Sequence, residues 1–300
     1  MVIELQPANI QYLQHAHLER HGLQLGILRL DALHSVISGN KWYKLQDHIT
    51  AAQQAGKNTL LSFGGAYSNH LIATAAAAQQ MGLGSIGMVR GLHAAQHWTD
   101  TLKDCAAYGM QLQFLSREQY DCKCEAEYVA ELRAIYPDAF IIPEGGNSVY
   151  GLSGAGRIAQ YIPANASVVA CALGTGTTFA GIRQQLPPHI AMLGFPVMKG
   201  GNYLASELRN ITQVTNWELN DNYHFGGFGR HTPELIGFMN RFYEMHGVAL
   251  DFVYTAKMMM GVFDLIDQGH FAPGSHIVCV HTGGLQGNRS IASQLVWTQA

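Results

Sequence analysis

Short runs of β-forming apolar residues, each stopped by glycine and followed by a stretch of helical composition, recur along this chain. Residues 59–63 precede Gly64-Gly65, 85–89 precede Arg90-Gly91, 140–142 precede Pro143-Glu144-Gly145-Gly146, and 167–173 precede Gly174. Residues 190–195 and 276–280 continue the series, the latter closing on Gly283-Gly284. Between them Asn69–Met81, almost all alanine and apolar, and 100–108 read as helices. The strands are continuously apolar and not alternating, which requires both faces of the sheet to be covered. A doubly wound α/β fold is expected.

The 300 residues allow one large domain or two packed lobes. The change of composition at 145–154 (GGNSVYGLSG) is the best boundary. It gives a larger lobe of 1–44 plus 151–300 and a smaller one of 45–150. The segment 216–231 is rich in Asn, Gly, His and aromatics and reads as a long loop at the mouth of a site.

Composition narrows the partners. Hydrophobic residues are 48% of the chain and charged residues 13%, which argues for extensive burial and against disorder. With 18 Lys+Arg against 21 Asp+Glu, the net charge of -3 offers no footprint for nucleic acid or an anionic membrane. The start lacks a basic segment followed by an apolar one, and no apolar run of about 18 residues follows, so a cytoplasmic protein is expected. Five unpatterned cysteines point to reduced thiols, and Cys122 and Cys124 lack a second pair. His15, His17 and His21 come without a spaced carboxylate and read as surface histidines, so no metal site is expected. Met258, Met259 and Met260 continue an apolar helical segment and read as core.

Three junctions carry the chemistry. Gly174-Thr175-Gly176-Thr177-Thr178 follows an apolar strand and opens a helix, where converging amides and the helix dipole favour an anion. Neither the Walker pattern nor GxGxxG is present, so a single phosphate monoester fits better than a nucleotide triphosphate or a dinucleotide. The same residues also suit a tight turn with threonine caps. Lys41 and Lys44 follow the Gly39-Asn40 turn at the start of an amphipathic helix. A lysine there is ordinarily a surface residue; buried beside a phosphate cup, its amine is a Schiff-base nucleophile. Ser68 and Asn69, after Gly64-Gly65, either cap the alanine-rich helix or present a hydroxyl and an amide to a carboxylate or phenolic oxygen. Thr282, in His281-Thr282-Gly283-Gly284, closes a turn or bonds a ligand ring nitrogen.

The segments SGNKWYKL, SFGGAYSNH, LGTGTTFAG, DFVYTAKMMMG and HTGG stand in the order and approximate spacing of the pyridoxal-phosphate-dependent D-cysteine desulfhydrases and 1-aminocyclopropane-1-carboxylate deaminases, which the chain resembles from about Arg29 to Gly284. The resemblance implies a tryptophan-synthase β-like fold (fold type II), two doubly wound α/β lobes with the cofactor between them. It further implies Lys41, and not its rival Lys44, as the lysine that carries pyridoxal 5'-phosphate. Gly174, Thr175, Gly176, Thr177 and Thr178 are implied to hold the phosphate, Asn69 to bond the phenolic oxygen and Thr282 to face the pyridine nitrogen. Ser68 and Tyr254 match catalytic positions near the substrate.

The departures bear on the substrate. The deaminase branch resembles VYEGK where this chain has Val253-Tyr254-Thr255-Ala256-Lys257, and it places a carboxylate at the pyridine nitrogen. A neutral hydroxyl makes a weaker electron sink and suits loss of a good leaving group. Phe228 stands where a second family tyrosine is common, and Arg29-Leu30-Asp31 where the family resembles KRDD. The expected activity is α,β-elimination on a small β-substituted amino acid, D-cysteine giving pyruvate, ammonia and sulfide. The alternatives are the deaminase and a non-catalytic protein that binds the cofactor. The resemblance favours a homodimer.

Overall fold

The computed structural model describes residues 3–201 and 203–298. Among them are ten strands: β1 (Ile10–Tyr12), β2 (Gln24–Arg29), β3 (Thr59–Gly64), β4 (Gly84–Arg90), β5 (Met110–Leu115), β6 (Ala139–Ile142), β7 (Val168–Leu173), β8 (Ala191–Pro196), β9 (Trp217–Leu219) and β10 (His276–His281). The chain separates into two compact units, Met1–Leu5 with His34–Gly154 and Gln6–Leu33 with Ala155–Ala300. The chain thus crosses between the units at Gln6, His34 and Ala155, and the crossing expected near Leu45 stands at His34. The helix Asn40–Gln54 accounts for the difference, because it buries Leu45, Ile49 and Ala52 with Leu60 and Ala73 of the smaller unit. Lys41 accordingly belongs to that unit.

The smaller unit holds a four-stranded sheet in the order β5-β4-β3-β6, parallel throughout. The helix Asn69–Met81 follows β3 and is buried on two sides. Ala73, Ala76 and Ala77 meet Ile49 and Leu60, while Leu71, Ile72 and Ala75 meet Val89, Leu102 and Met110. Small side chains let the helix lie close to its neighbours, which explains an alanine run that carries little amphipathic pattern. Thr99 caps the next helix, Asp100–Ala107, by accepting from the Leu102 amide at 3.3 Å.

The larger unit holds a six-stranded sheet in the order β1-β2-β10-β7-β8-β9, parallel except for the antiparallel β1–β2 edge. Its core joins Leu25 and Ile27 of β2, Ile277 and Cys279 of β10, and Met258, Met259 and Val262 of the helix Thr255–Asp267. The methionine run is thus core, as its pattern indicates. Within 216–231 the structure has an edge strand, β9, whose Trp217 pairs with Met192, before the chain becomes irregular. The five cysteines are free, with Cys105, Cys171 and Cys279 buried.

Candidate active site

In the smaller unit Gly39 adopts φ 67° and ψ -150°, a conformation closed to ordinary side chains, and turns the chain into the helix Asn40–Gln54. Lys41 lies in the first turn, half-buried, with Nζ donating to Asn40 Oδ1 at 2.7 Å. Lys44 is 4% exposed. This helix leads into β3 and runs back along it, so its first turn stands at the carboxyl end of β3, where Ser68 and Asn69 also emerge. Ser68 caps the alanine-rich helix, its Oγ accepting from the Leu71 amide at 3.2 Å. That bond uses an oxygen lone pair and leaves the hydroxyl proton to donate elsewhere.

Behind these residues lies a polar chain that sequence reasoning did not find. Ser62 Oγ donates to the Ile142 carbonyl at 2.9 Å, so His70 Nε2, 3.0 Å from the same oxygen, is the donor of its pair. His70 Nδ1 is then a bare lone pair, and it is buried with no hydrogen-bond partner among the described residues. Burial pushes the His70 ring well below the ordinary imidazole range, and the charges of Lys44, Lys41 and His48 push it the same way. His48 Nδ1 meets the Lys44 carbonyl at 2.7 Å and its Nε2 meets Ser148 Oγ at 2.7 Å.

In the larger unit β7 ends at Leu173 and the Gly174–Thr178 turn enters the helix Thr177–Gln185. Gly176 is the N-cap with φ 74°, in the left-handed region where a side chain is strained. No side chain caps this terminus, and its first turn contains no acidic residue. Thr175 and Thr177 join their hydroxyls at 2.9 Å. At Gly174 a side-chain carbon would stand 3.3 Å from Tyr254 Cε1 and 3.4 Å from its phenolic oxygen, so glycine lets the tyrosine ring pack against the turn without crowding.

Tyr254 is held in turn by Asp251. Asp251 Oδ2 accepts from the amides of Val253 at 3.1 Å and Tyr254 at 2.9 Å; its Oδ1 accepts from the Thr255 amide at 2.9 Å and hydroxyl at 2.7 Å. The Thr255 hydroxyl is committed to this turn, accepting also from the Asp251 amide at 2.8 Å. The Phe228 ring packs edge-on against Tyr254, with centroids 5.9 Å apart.

Thr282, 5% exposed, follows β10, the sheet neighbour of β7, so it and Gly174 leave adjacent parallel strands at their carboxyl ends. Its neighbour His281 is fixed on both ring nitrogens. Gly283 N–H donates to Nδ1 at 3.3 Å, and Nε2 donates to the Ala249 carbonyl at 2.8 Å. Arg29, level with His281 in the sheet, forks onto Asp31 at 2.9 and 2.7 Å. Elsewhere in this unit Asp267 supplies the carboxylate that the histidine cluster lacks in sequence, with Oδ1 2.5 Å from His17 Nε2. Its ligand atom and those of His17 and His21 lie within 4.8 Å of one another.

Residues 9–283 match the family model described as pyridoxal-phosphate dependent enzyme. The chain belongs to this family. It is 29% identical to a putative 1-aminocyclopropane-1-carboxylate deaminase of Pyrococcus horikoshii, over 96% of this chain and 92% of the relative. It is 27% identical to a D-cysteine desulfhydrase of Yersinia pestis, over 88% and 87%. The crystal structure of a 1-aminocyclopropane-1-carboxylate deaminase homologue superposes with a TM-score of 0.81 at 27% identity, covering 97% of this chain and 94% of that one. The protein is a pyridoxal-phosphate dependent enzyme with the tryptophan-synthase β-like fold, fold type II. No helix among the described residues is long and apolar enough to cross a membrane.

The site residues fit the cofactor this enzyme family requires. A helix terminus opened by a left-handed glycine, with threonines at 175, 177 and 178 and neither a side-chain cap nor an acidic residue in its first turn, suits a phosphate dianion. The primary amine of Lys41, in the first turn of its own helix, is the group an aldehyde needs.

Proposed function

We propose that the enzyme removes the β-substituent of a small amino acid, with D-cysteine and water giving pyruvate, ammonia and hydrogen sulfide. The observation that carries this reading is the fate of position 255. The deaminase branch resembles glutamate there, whereas the Thr255 hydroxyl is buried and bonded to Asp251, in a turn that positions Tyr254. With a hydroxyl at Thr282 and no carboxylate at 255, the ring nitrogen would receive a hydrogen bond and not a full proton partner.

Pyridoxal phosphate, when bound, supplies an electron sink for the pair left at Cα. In this reading Lys41 Nζ would hold the cofactor, and the same amine, free once substrate is bound, would be the base that takes the Cα proton. Ser68 Oγ would donate to the substrate carboxylate, Asn69 to the phenolic oxygen and Thr282 to the ring nitrogen. Gly174, Thr175, Gly176, Thr177 and Thr178 bind the phosphate. The Tyr254 hydroxyl returns a proton to the departing sulfur.

Opening of 1-aminocyclopropane-1-carboxylate is the second reading, supported by the names of the relatives from Pyrococcus horikoshii and of the solved homologue. A panel of D- and L-amino acids with pyruvate and sulfide detection decides between them. Sulfide and pyruvate from D-cysteine are expected. Release of α-ketobutyrate from the cyclopropane substrate, with no sulfide from either cysteine enantiomer, reverses the assignment.

A further inference from the structure

One buried amine has no part in the chemistry above. Lys257, one turn into the helix Thr255–Asp267, is fully buried, and burial lowers its pKa against the opposing pull of Asp251. Its Nζ donates to the carbonyls of His224 and Gly227, both at 2.8 Å, and of Val197 at 3.5 Å. An aliphatic side chain here would leave inward-turned carbonyls without donors.

Two of those carbonyls belong to the segment 224–229, whose backbone is unusual. Phe225 has φ 50°, the one positive value for a non-glycine among the described residues, and Gly226, Gly227 and Gly229 have φ 90°, 117° and 67°. A phenylalanine in the left-handed region persists only where its surroundings over-determine it. Local bonds do part of this, since Gly226 N–H donates to His224 Nδ1 at 3.0 Å and Arg230 N–H to the Gly227 carbonyl at 3.1 Å. Lys257 adds an anchor from another element, beside the packing of Phe225 on the core. The same segment carries Phe228, 56% exposed and packed edge-on against Tyr254.

We propose that Lys257 is a positioning residue: by binding the His224 and Gly227 carbonyls, its ammonium holds this strained segment so that Phe228 stays against Tyr254. The segment then limits which side chain of an amino-acid substrate can reach the tyrosine hydroxyl. This role rests on the proposed function through Tyr254, whereas the clamp on the segment does not.

The test is a double-mutant cycle in the holoenzyme. Lys257→Met is expected to melt cooperatively, to keep the cofactor's visible absorption and to be cut by chymotrypsin within 224–229 at least tenfold faster than the parent. Its KM for the best amino acid should rise at least fivefold with a smaller change in kcat. In a Phe228→Ala background the same substitution should add almost nothing, because the route of its effect is already gone. Should Lys257→Met fail to fold, Lys257→Gln, which keeps an N–H donor, enters the same cycle. Unchanged proteolysis in a folded variant, or losses that simply add in the double variant, overturn the proposal. Accelerated cleavage in a protein that turns over no amino acid supports the clamp and overturns the proposed function instead.

Discussion

The Tyr254 ring lies so close to the glycine-threonine turn that a β-carbon at Gly174 would stand 3.3 Å from it, tighter than an ordinary contact. Removing the hydroxyl alone therefore separates packing from chemistry. Tyr254→Phe should leave folding and cofactor absorption intact and lower kcat by about two to four orders of magnitude, the range of a lost acid–base group. Steady-state kinetics with D-cysteine measure it; a kcat within twofold of the parent removes Tyr254 from the proton path.

Lys41 and Lys44 stand one turn apart on the same helix, and chemistry distinguishes them. Borohydride treatment followed by peptide mapping should find the cofactor bonded to Lys41. Lys41→Ala should lose turnover altogether while still taking up pyridoxal phosphate through the threonine turn. Label recovered on Lys44 would overturn the assignment.

Gly176 must adopt φ 74° at the start of a helix. Gly176→Val places a branched side chain in that conformation and against Leu208. Cofactor affinity should fall at least tenfold, read by equilibrium dialysis, with far-ultraviolet circular dichroism close to the parent's. A folded variant that binds as tightly as the parent excludes this turn as the phosphate site.

Acid should weaken the smaller unit through His70 and His48. Both rings are held below their ordinary range by burial; the Lys44 charge adds to this at His70, while at His48 the bond to the Lys44 carbonyl opposes it. The unfolded chain therefore binds more protons than the folded one as pH drops below about 6.5, and stability falls with pH from there downward. At full effect each ring changes stability by about 1.4 kcal/mol per pH unit. Urea melts between pH 7.5 and 5 should show this slope, and His70→Gln should flatten it. An equal slope in the variant would assign the acid sensitivity to other groups.

Asp251 spends its carboxylate on the Val253, Tyr254 and Thr255 amides and the Thr255 hydroxyl. Asp251→Ala should cost about 2–4 kcal/mol, as several buried donors lose a charged acceptor. Asp251→Asn should recover part of that. Chemical denaturation gives the values; a loss below about 0.5 kcal/mol would mean that the turn is held by other contacts.

The parts of the fold that could be read from sequence are those whose physics is local. β3, β4, β7 and β8 are covered on both faces and stand out as apolar runs, their ends shifting by a residue or so. β5 is an edge strand whose sequence MQLQFL mixes polar and apolar residues, and β1 and β9 have three residues each and are defined by their partners. The glycine-threonine turn and the Gly39 turn were visible because glycine marks unusual backbone in any context. Lys257 was not, since its acceptors lie 30 to 60 residues away in sequence. His70 was hidden for a related reason: its surroundings depend on Ser62 and on the carbonyl of Ile142, 80 residues from that serine.

If the uncapped helix at Gly176 binds the cofactor phosphate as proposed, the protein's stability depends on its cofactor supply. A terminus with neither a side-chain cap nor an acidic first turn is most stable when an anion completes it. Each tenfold rise in free cofactor above its dissociation constant then adds about 1.4 kcal/mol to the folded state. On that reading, cofactor-free protein would unfold and be degraded more readily than the holoenzyme, so a shortage of cofactor would lower the amount of enzyme as well as its activity.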